Sequence, residues 1–201
     1  RQVSSTVRIQ HPNGHDARLP VHARHTQAIV ALGGGSVMDA AKAIALVGFE
    51  GNSENIVDYG MGSQTPPKGN IDVITVPTLA ATGSECDYIS VFTDEEHSVK
   101  VPTFMSPWPG LSLVDPALNQ TVPMSYRMEG ALDMISHVIE FVLNTVDRAN
   151  PVIEGMNMSL IRSVIHASRD IYNGNDTPEN REVLSTGSWL ALNGSLSLGY
   201  N

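Results

Sequence analysis

An apolar run that ends in three consecutive glycines constrains this sequence more than any other feature. Residues 28–32 read Ala-Ile-Val-Ala-Leu, which is typical of a strand buried on both faces of a sheet. The glycines at 33–35 follow directly, and residues 36–47 have the pattern of a helix. Glycine lets the backbone approach a ligand closely and allows positive φ, and the N–H groups of a helix start favour an anion. The pattern predicts a diphosphate-binding turn, although a tight turn with a capping box at Ser36 and Asp39 is an alternative.

The rest of the chain divides into an alternating half and a helical half. Further strands are predicted at residues 3–9, 73–76, 89–93 and 111–114. Beyond Pro123, helices are predicted at about residues 125–145, 151–172 and 178–198, with Thr177 as the N-cap of the last one. This order predicts an α/β nucleotide-binding domain over residues 1–123 and an all-α domain over residues 124–201.

Composition excludes several classes of protein. The 12 Lys and Arg residues face 21 Asp and Glu residues, which gives a formal net charge of −9. Such a chain repels nucleic acid and anionic membrane surfaces, so neither is an expected partner. No apolar run approaches the ~18 residues of a membrane span. The single cysteine, Cys86, allows no internal disulfide and indicates a reducing compartment, so we expect a cytoplasmic protein.

A second loop rich in small and hydroxyl residues follows another predicted strand. Residues 78–85 read Thr-Leu-Ala-Ala-Thr-Gly-Ser-Glu and come directly after the strand at 73–76. Ligands of open α/β sheets bind beyond the carboxyl ends of the strands, so this loop and the glycines at 33–35 are expected to face one crevice. Small side chains and hydroxyls suit a flat ring and a pyrophosphate. The alternative is an ordinary helix start capped at Thr82.

Two side chains in the helical half have the spacing of metal ligands. Asp133 and His137 lie four residues apart on a predicted helix, so they project from one face, and Glu140 follows on the same face. A carboxylate and an imidazole placed this way can bind one divalent metal. A hydrogen-bonded pair without a metal is the alternative. Four other histidines have zinc-like spacing, but Pro and Gly residues interrupt any helix that would align them: His11, His15, His22 and His25.

Taken in order, these motifs resemble the iron-dependent (group III) alcohol dehydrogenase family. The matching segments are residues 29–42, 78–85, 113–116 and 131–140. Residues 79–85 are close to the Leu-Pro-Ala-Thr-Gly-Ser-Glu of its butanol dehydrogenase and aldehyde reductase branch, with Ala80 in place of the proline. Residues 191–194, together with Gly199, resemble the helix before the family's remaining metal histidines. The resemblance extends over residues 28–201.

The resemblance implies an oxidoreductase of the dehydroquinate synthase-like fold. Such an enzyme transfers a hydride between NAD or NADP and a small alcohol or aldehyde, with Fe²⁺ or Zn²⁺ as a Lewis acid, and we expect it to be a homo-oligomer. The cofactor-binding residues that it implies are Gly33, Gly34, Gly35, Ser36, Asp39, Thr78, Thr82, Gly83, Lys100 and Leu118. The implied metal ligands are Asp133 and His137.

Two departures from the family pattern lead to a further expectation. The family's other two metal ligands are histidines further downstream, and the sequence stops at Asn201, about where the first would fall. The family's N-terminal strand and glycine turn have no clear counterpart in residues 1–27. We therefore expect a chain truncated at both ends, with little or no dehydrogenase activity. The alternative function is an inactive nucleotide-binding fragment that lacks two metal ligands.

Overall fold

The computed structural model describes most of the chain, and its contacts divide it into two compact units. The residues described are 5–10, 16–21, 26–49, 68–94, 99–104, 106–143 and 150–197. The first unit comprises residues 1–31, 36–75 and 88–111, and the second comprises residues 32–35, 76–87 and 112–201. The four histidines with zinc-like spacing lie outside the described residues. The boundary near Pro123 stays a prediction, since the contacts group the chain differently from sequence order.

Among the described residues before Met124, the structure has seven strands and one α-helix. The strands are β1 (Ser5–Gln10), β2 (Asp16–Val21), β3 (Ala28–Gly33), β4 (Asp72–Pro77), β5 (Ser90–Asp94), β6 (Val99–Thr103) and β7 (Leu111–Ser112). Helix α1 spans Gly35–Val47. Strands β3, β4 and β7 form a parallel sheet in the order β3-β4-β7. Strands β1 and β2 form one antiparallel pair, and β5 and β6 form another.

Helix α1 is held in the first unit by an apolar cluster and by two hydrogen bonds, one from Lys42 and one to Asp39. Its core consists of Ala31, Met38, Ala41, Ala45, Ile71 and Val73. Lys42 is fully buried, and its Nζ donates to the carbonyl oxygen of Ile89 at 2.5 Å and lies 3.7 Å from Asp39 Oδ1. Asp39 Oδ2 in turn accepts a hydrogen bond from Val91 N at 3.0 Å. A lysine this deeply buried requires such partners, so Asp39 and Lys42 join α1 to the segment that begins β5.

Three helices form the core of the second unit. They are α2 (Met124–Leu143), α3 (Pro151–Tyr172) and α4 (Pro178–Leu192). Their apolar cluster includes Met134, Val138, Val164, Ile171, Leu184 and Leu196. Thr177 caps α4 as the sequence predicts, since its Oγ1 accepts from Asn180 N at 3.2 Å. A proline at the first position of both α3 and α4 suits a helix start, where the missing N–H is not needed.

The fold class predicted from the sequence is confirmed, with shifts at element ends. The strand predicted at 111–114 is only two residues long, and β2 and β6 were not predicted. The last helix ends at Leu192 rather than near 198, because Gly194 has a φ of 85° and a helix readily stops before such a residue. A 3₁₀ turn at Ser195–Ser197 follows. Among the described residues, no helix combines the length and apolar character needed to cross a membrane.

Candidate cofactor and metal site

The glycine turn and the threonine-rich loop lie side by side in the second unit. Thr78 N donates to the carbonyl oxygen of Gly33 at 2.9 Å. A Cβ added to Gly35 would lie 2.6 Å from Thr82 Oγ1, so only glycine fits opposite that threonine. The two loops are therefore in contact, as expected if they face one crevice. None of these three glycines has a positive φ, so the close approach of Thr82 is what requires a glycine at position 35.

The start of helix α1 suits an anionic ligand. The helix begins at Gly35, and Ser36 is exposed in its first turn. The first N–H groups of a helix lack partners within the helix and carry the positive end of its dipole. A diphosphate placed beside this turn would satisfy them. The carboxylate of Asp39 accepts a hydrogen bond from Val91 N and so helps to hold α1 in the fold. A contact between Asp39 and the cofactor stays a prediction.

Helix α4 fixes the backbone of the threonine-rich loop. The hydroxyl oxygen of Ser188, which is fully buried, accepts hydrogen bonds from Ala81 N at 3.0 Å and Gly83 N at 3.2 Å. Gly83 has a φ of 64°, and a Cβ added there would lie 2.6 Å from the carbonyl oxygen of Ser188. The helix start considered for this loop is a single 3₁₀ turn, Ser84–Cys86. Ser188 was not identified from the sequence. The one feature of the sequence that could have pointed to it is a hydroxyl side chain on the core-facing side of a predicted helix.

Helix α2 contacts the same loop one turn before the predicted metal ligands. Gly130 packs so closely on the carbonyl oxygen of Ala80 that a Cβ there would overlap it. Gly130 precedes Asp133 by three residues, so the loop and the candidate metal site share one face of α2. At the far end of the loop, the hydroxyl of Ser112 donates to the carbonyl oxygen of Glu85. The threonine-rich loop is thus anchored to the helix that carries the Asp133–His137 pair.

The Asp133–His137 pair on α2 is partly exposed, and the carboxylates of Asp87 and Glu140 add negative charge near His137. Asp133 Oδ1 lies 3.6 Å from His137 Nε2, and the side chains are 44% and 27% exposed. The carboxylate of Asp133, as the acceptor for the imidazole N–H, raises the pKa of His137. Burial lowers this pKa, and the charges of Asp133, Glu140 and Asp87 raise it further. Carboxylates that favour a protonated imidazole also favour a bound cation, which would displace the proton.

The donor set fits part of a divalent-metal site. A carboxylate oxygen and an imidazole nitrogen are donors that Fe²⁺ and Zn²⁺ accept. Within the part of the chain that the structure describes, no group of three or more His, Cys, Asp or Glu side chains could hold a metal. Asp133 and His137 are two candidate donors, and their role as metal ligands stays a prediction.

The two remaining predicted cofactor residues are Lys100 and Leu118. Lys100 is exposed on β6, opposite Thr93 of β5, and belongs to the first unit. Leu118 is 36% exposed in a 3₁₀ turn at Pro116–Asn119, which Asp115 caps by accepting from Ala117 N. The roles of Lys100 and Leu118 in cofactor binding stay predictions.

Comparison with known proteins identifies a family and several similar proteins. A family model described as iron-containing alcohol dehydrogenase matches residues 15–116, about half of the chain. The probable NADH-dependent butanol dehydrogenase 1 of Bacillus subtilis strain 168 is 38% identical over 174 residues, which are 85% of this chain and 43% of that protein. The chain thus spans less than half the length of this curated relative.

Solved structures share the fold over the same extent. The NADH-dependent butanol dehydrogenase A of Thermotoga maritima matches with a TM-score of 0.80 and 28% identity, over 87% of this chain and 43% of that one. The sulfoacetaldehyde reductase of Bifidobacterium kashiwanohense, solved with NAD⁺, matches with a TM-score of 0.71 and 28% identity, over 83% of this chain and 44% of that one. Both likenesses include the α/β part and the helices.

Proposed function

We propose a function from one premise: this chain belongs to the iron-containing alcohol dehydrogenase family. We infer that it binds NAD(H) and serves in the interconversion of small alcohols and aldehydes. The observation that carries the proposal is the junction of the glycine turn and the threonine-rich loop, set against the helix of Asp133 and His137. The relatives named above support NADH as the cofactor and a short alcohol such as butanol as the substrate class.

The proposed cofactor site is built mainly from backbone. The N–H groups at the start of α1 would bind the diphosphate, and the glycines at 33–35 leave room for it. Thr78 and Thr82 would offer hydroxyls to the phosphates and the adjoining ribose. Ser188 and Gly130 hold this loop still, so little entropy is lost when the cofactor binds. The bound nicotinamide would supply or accept the hydride of the reaction.

The proposed metal site uses Asp133 and His137 as ligands and not as acid–base groups. A bound divalent metal would polarise the substrate oxygen as a Lewis acid. Asp133 also orients the imidazole of His137 through their contact, and the carboxylates of Asp87 and Glu140 add negative potential. We propose iron as the metal, because the family is defined by it. Any further ligands lie outside the described residues.

A second candidate function is NAD(H) binding without turnover. The observation that favours it is the donor count, since the described residues supply only two metal ligands. Two protein donors hold a metal weakly, so the Lewis acid would be absent for most of the time. Under this alternative the loops keep their ligand and the Asp133–His137 pair remains a hydrogen-bonded pair.

One titration tests the proposal and separates the two candidates. NADH is added to the 201-residue protein under anaerobic conditions, with and without Fe²⁺, and its fluorescence is followed; butanal is then added and NADH oxidation is measured. Iron-dependent turnover of about 1 s⁻¹ or more supports the dehydrogenase. Binding without turnover supports the second candidate, and no binding up to millimolar NADH refutes both.

A matched pair of variants tests whether NADH binds at the threonine-rich loop. Thr82→Val keeps the shape of the side chain but removes the hydroxyl, and we expect NADH affinity to fall about tenfold, near 1.4 kcal/mol. Thr186→Val is the control, since this threonine lies on α4 at a groove formed with α3. Equal affinity in both variants would place the cofactor elsewhere.

A further inference from the structure

A cavity the size of one water molecule lies behind the threonine-rich loop in the second unit. Its volume is about 10 Å³. The residues that line it are Leu79, Ala80, Asn119, Arg127, Arg181 and Leu184. A cavity of this size can hold a single water if enough polar groups face it. Two loop residues form one wall, and the other walls come from α2, from α4 and from the turn at Pro116–Asn119.

The three polar residues that line this cavity are more than nine-tenths buried. Asn119, Arg127 and Arg181 are 7%, 5% and 8% exposed. Each has one buried atom for which the described residues provide no hydrogen-bond partner: Asn119 Oδ1, Arg127 Nε and Arg181 Nε. Buried polar groups of folded proteins are nearly always paired, either with protein or with ordered water. The three residues that carry these atoms all line the same small cavity, so one small polar partner could serve all three.

The other ends of these side chains are fixed. Arg127 donates from Nη1 and Nη2 to the two carboxylate oxygens of Asp176, both at 2.9 Å, and Arg181 Nη1 lies 3.3 Å from the same carboxylate. Asn119 Nδ2 donates to Ser185 Oγ at 3.0 Å. None of the three side chains can turn to find another partner for its remaining atom without breaking these bonds. The unpaired atoms are therefore fixed where they are.

We propose that this cavity binds one water molecule, which accepts hydrogen bonds from Arg127 Nε and Arg181 Nε and donates one to Asn119 Oδ1. Water offers both acceptor and donor sites, and three bonds are the usual number for a buried water. Two guanidinium groups pair with the single carboxylate of Asp176, so one positive charge is left unbalanced. A halide ion is therefore the competing occupant of the cavity. The oxygen of Asn119 would repel an anion, which favours water. The bound water joins α2 and α4 beneath Leu79 and Ala80 and supports the loop from behind.

The first test is a crystal structure of the 201-residue protein, grown once with sodium chloride and once with sodium bromide. We expect one density peak within about 3.2 Å of all three atoms in both crystals, with no anomalous signal for bromine. An anomalous peak would make the site a halide site and overturn the proposal. A cavity without density at a resolution that shows other buried waters would overturn it as well.

The second test is in solution and uses a variant with a matched control. Cross-relaxation between water and the Hε protons of Arg127 and Arg181 reports a long-lived water. We expect the signal in the original protein and in the control Ser168→Ala, whose hydroxyl donates to the carbonyl oxygen of Ile165 in α3. Asn119→Leu fills the site and should abolish the signal. Its persistence in Asn119→Leu would refute the site, and if that variant does not fold, absence of the signal in the original protein would refute it.

Discussion

The threonine-rich loop and the Asp133–His137 pair are neighbours on α2, yet they are built in opposite ways. The loop is buried, and its position depends on backbone contacts with two helices, through Ser188 and Gly130. The pair consists of two partly exposed side chains one turn apart on the same helix, and these lie 3.6 Å from each other. The loop is part of what stabilises the second unit, whereas the pair is added to a helix that would form without it.

This difference predicts where mutations cost stability. A change in the loop or its supports should weaken folding and cofactor binding together, because the same contacts serve both. A change in the pair should affect metal binding alone. The following predictions test this contrast, beginning with the largest expected effect.

Gly83→Ala should be the most damaging single change at the site. The residue has a φ of 64°, and its new Cβ would lie 2.6 Å from the carbonyl oxygen of Ser188. The backbone strain and the overlap add, so we expect the free energy of unfolding to fall by about 4 kcal/mol. Urea denaturation followed by circular dichroism measures this loss. A loss below about 1 kcal/mol would mean that the loop is not fixed by α4.

Two glycines outside the loop serve as controls for Gly83→Ala. Gly174 has a φ of 91°, and a Cβ added there would meet nothing within 4 Å. Gly174→Ala therefore carries the strain without the overlap and should cost about 1–2 kcal/mol. Gly155 lies on α3 with open space around it, and Gly155→Ala should stabilise by about 0.5–1 kcal/mol. The difference between Gly83→Ala and Gly174→Ala measures the cost of the overlap. The difference between Gly174→Ala and Gly155→Ala measures the cost of the backbone strain.

Asp176→Asn should be the next most damaging change, and its effect should depend on pH. The carboxylate pairs with Arg127 and Arg181, and its loss leaves two buried guanidinium groups without their anion, which costs about 3 kcal/mol at neutral pH. The hydrogen bond from Arg127 lowers the pKa of Asp176. Its contribution is therefore complete above the unfolded pKa of about 4 and is lost as pH falls through the lower folded pKa.

The measurement for Asp176→Asn is the unfolding free energy of both proteins from neutral pH down to about pH 2.5. The gap between them should be widest at neutral pH and should close on the acid side. A gap that stays constant over this range would show that the carboxylate is not ionised against the two arginines.

Ser188→Ala should have a smaller effect, and it should appear in two measurements. Ala81 N and Gly83 N lose their buried acceptor, so we expect a loss of about 2 kcal/mol and faster hydrogen exchange at these two amides. Ser168→Ala is the control, because that hydroxyl bonds only to the carbonyl oxygen of Ile165 in its own helix. Equal exchange at the two amides in both variants would contradict the assigned role of Ser188.

Much of the fold could be predicted from the sequence, because the relevant signals are local. The apolar run at 28–32, the glycines at 33–35 and the cap at Thr177 all act within one turn or strand, and the structure has β3, α1 and α4 there. The spacing of Asp133 and His137 likewise fixes their proximity, because four residues make about one helical turn.

The contacts between distant segments could not be predicted from the sequence. Ser188 follows Ala81 by 107 residues, and no periodicity marks which serine of a helix will face a loop. No local pattern explains why Gly130 must be a glycine either, since the neighbour that requires it is the backbone of Ala80. Bonds between side chain and distant backbone depend on how the helices pack, and local patterns do not encode that arrangement.

Asp133→Ala should have the smallest effect on folding, and it is the decisive test of the contrast. The carboxylate is 44% exposed, its partner is His137 on the next turn, and alanine favours the helix, so stability should change by less than about 0.5 kcal/mol. Glu129→Ala, one turn earlier on the exposed side of α2, should behave the same in urea denaturation. Anaerobic calorimetry with Fe²⁺ should distinguish them, because only Asp133→Ala removes a proposed ligand and should weaken binding. A loss of stability near that of Ser188→Ala would mean that the pair is as much a part of the folded core as the loop, since an ion pair added to a finished helix cannot have that effect.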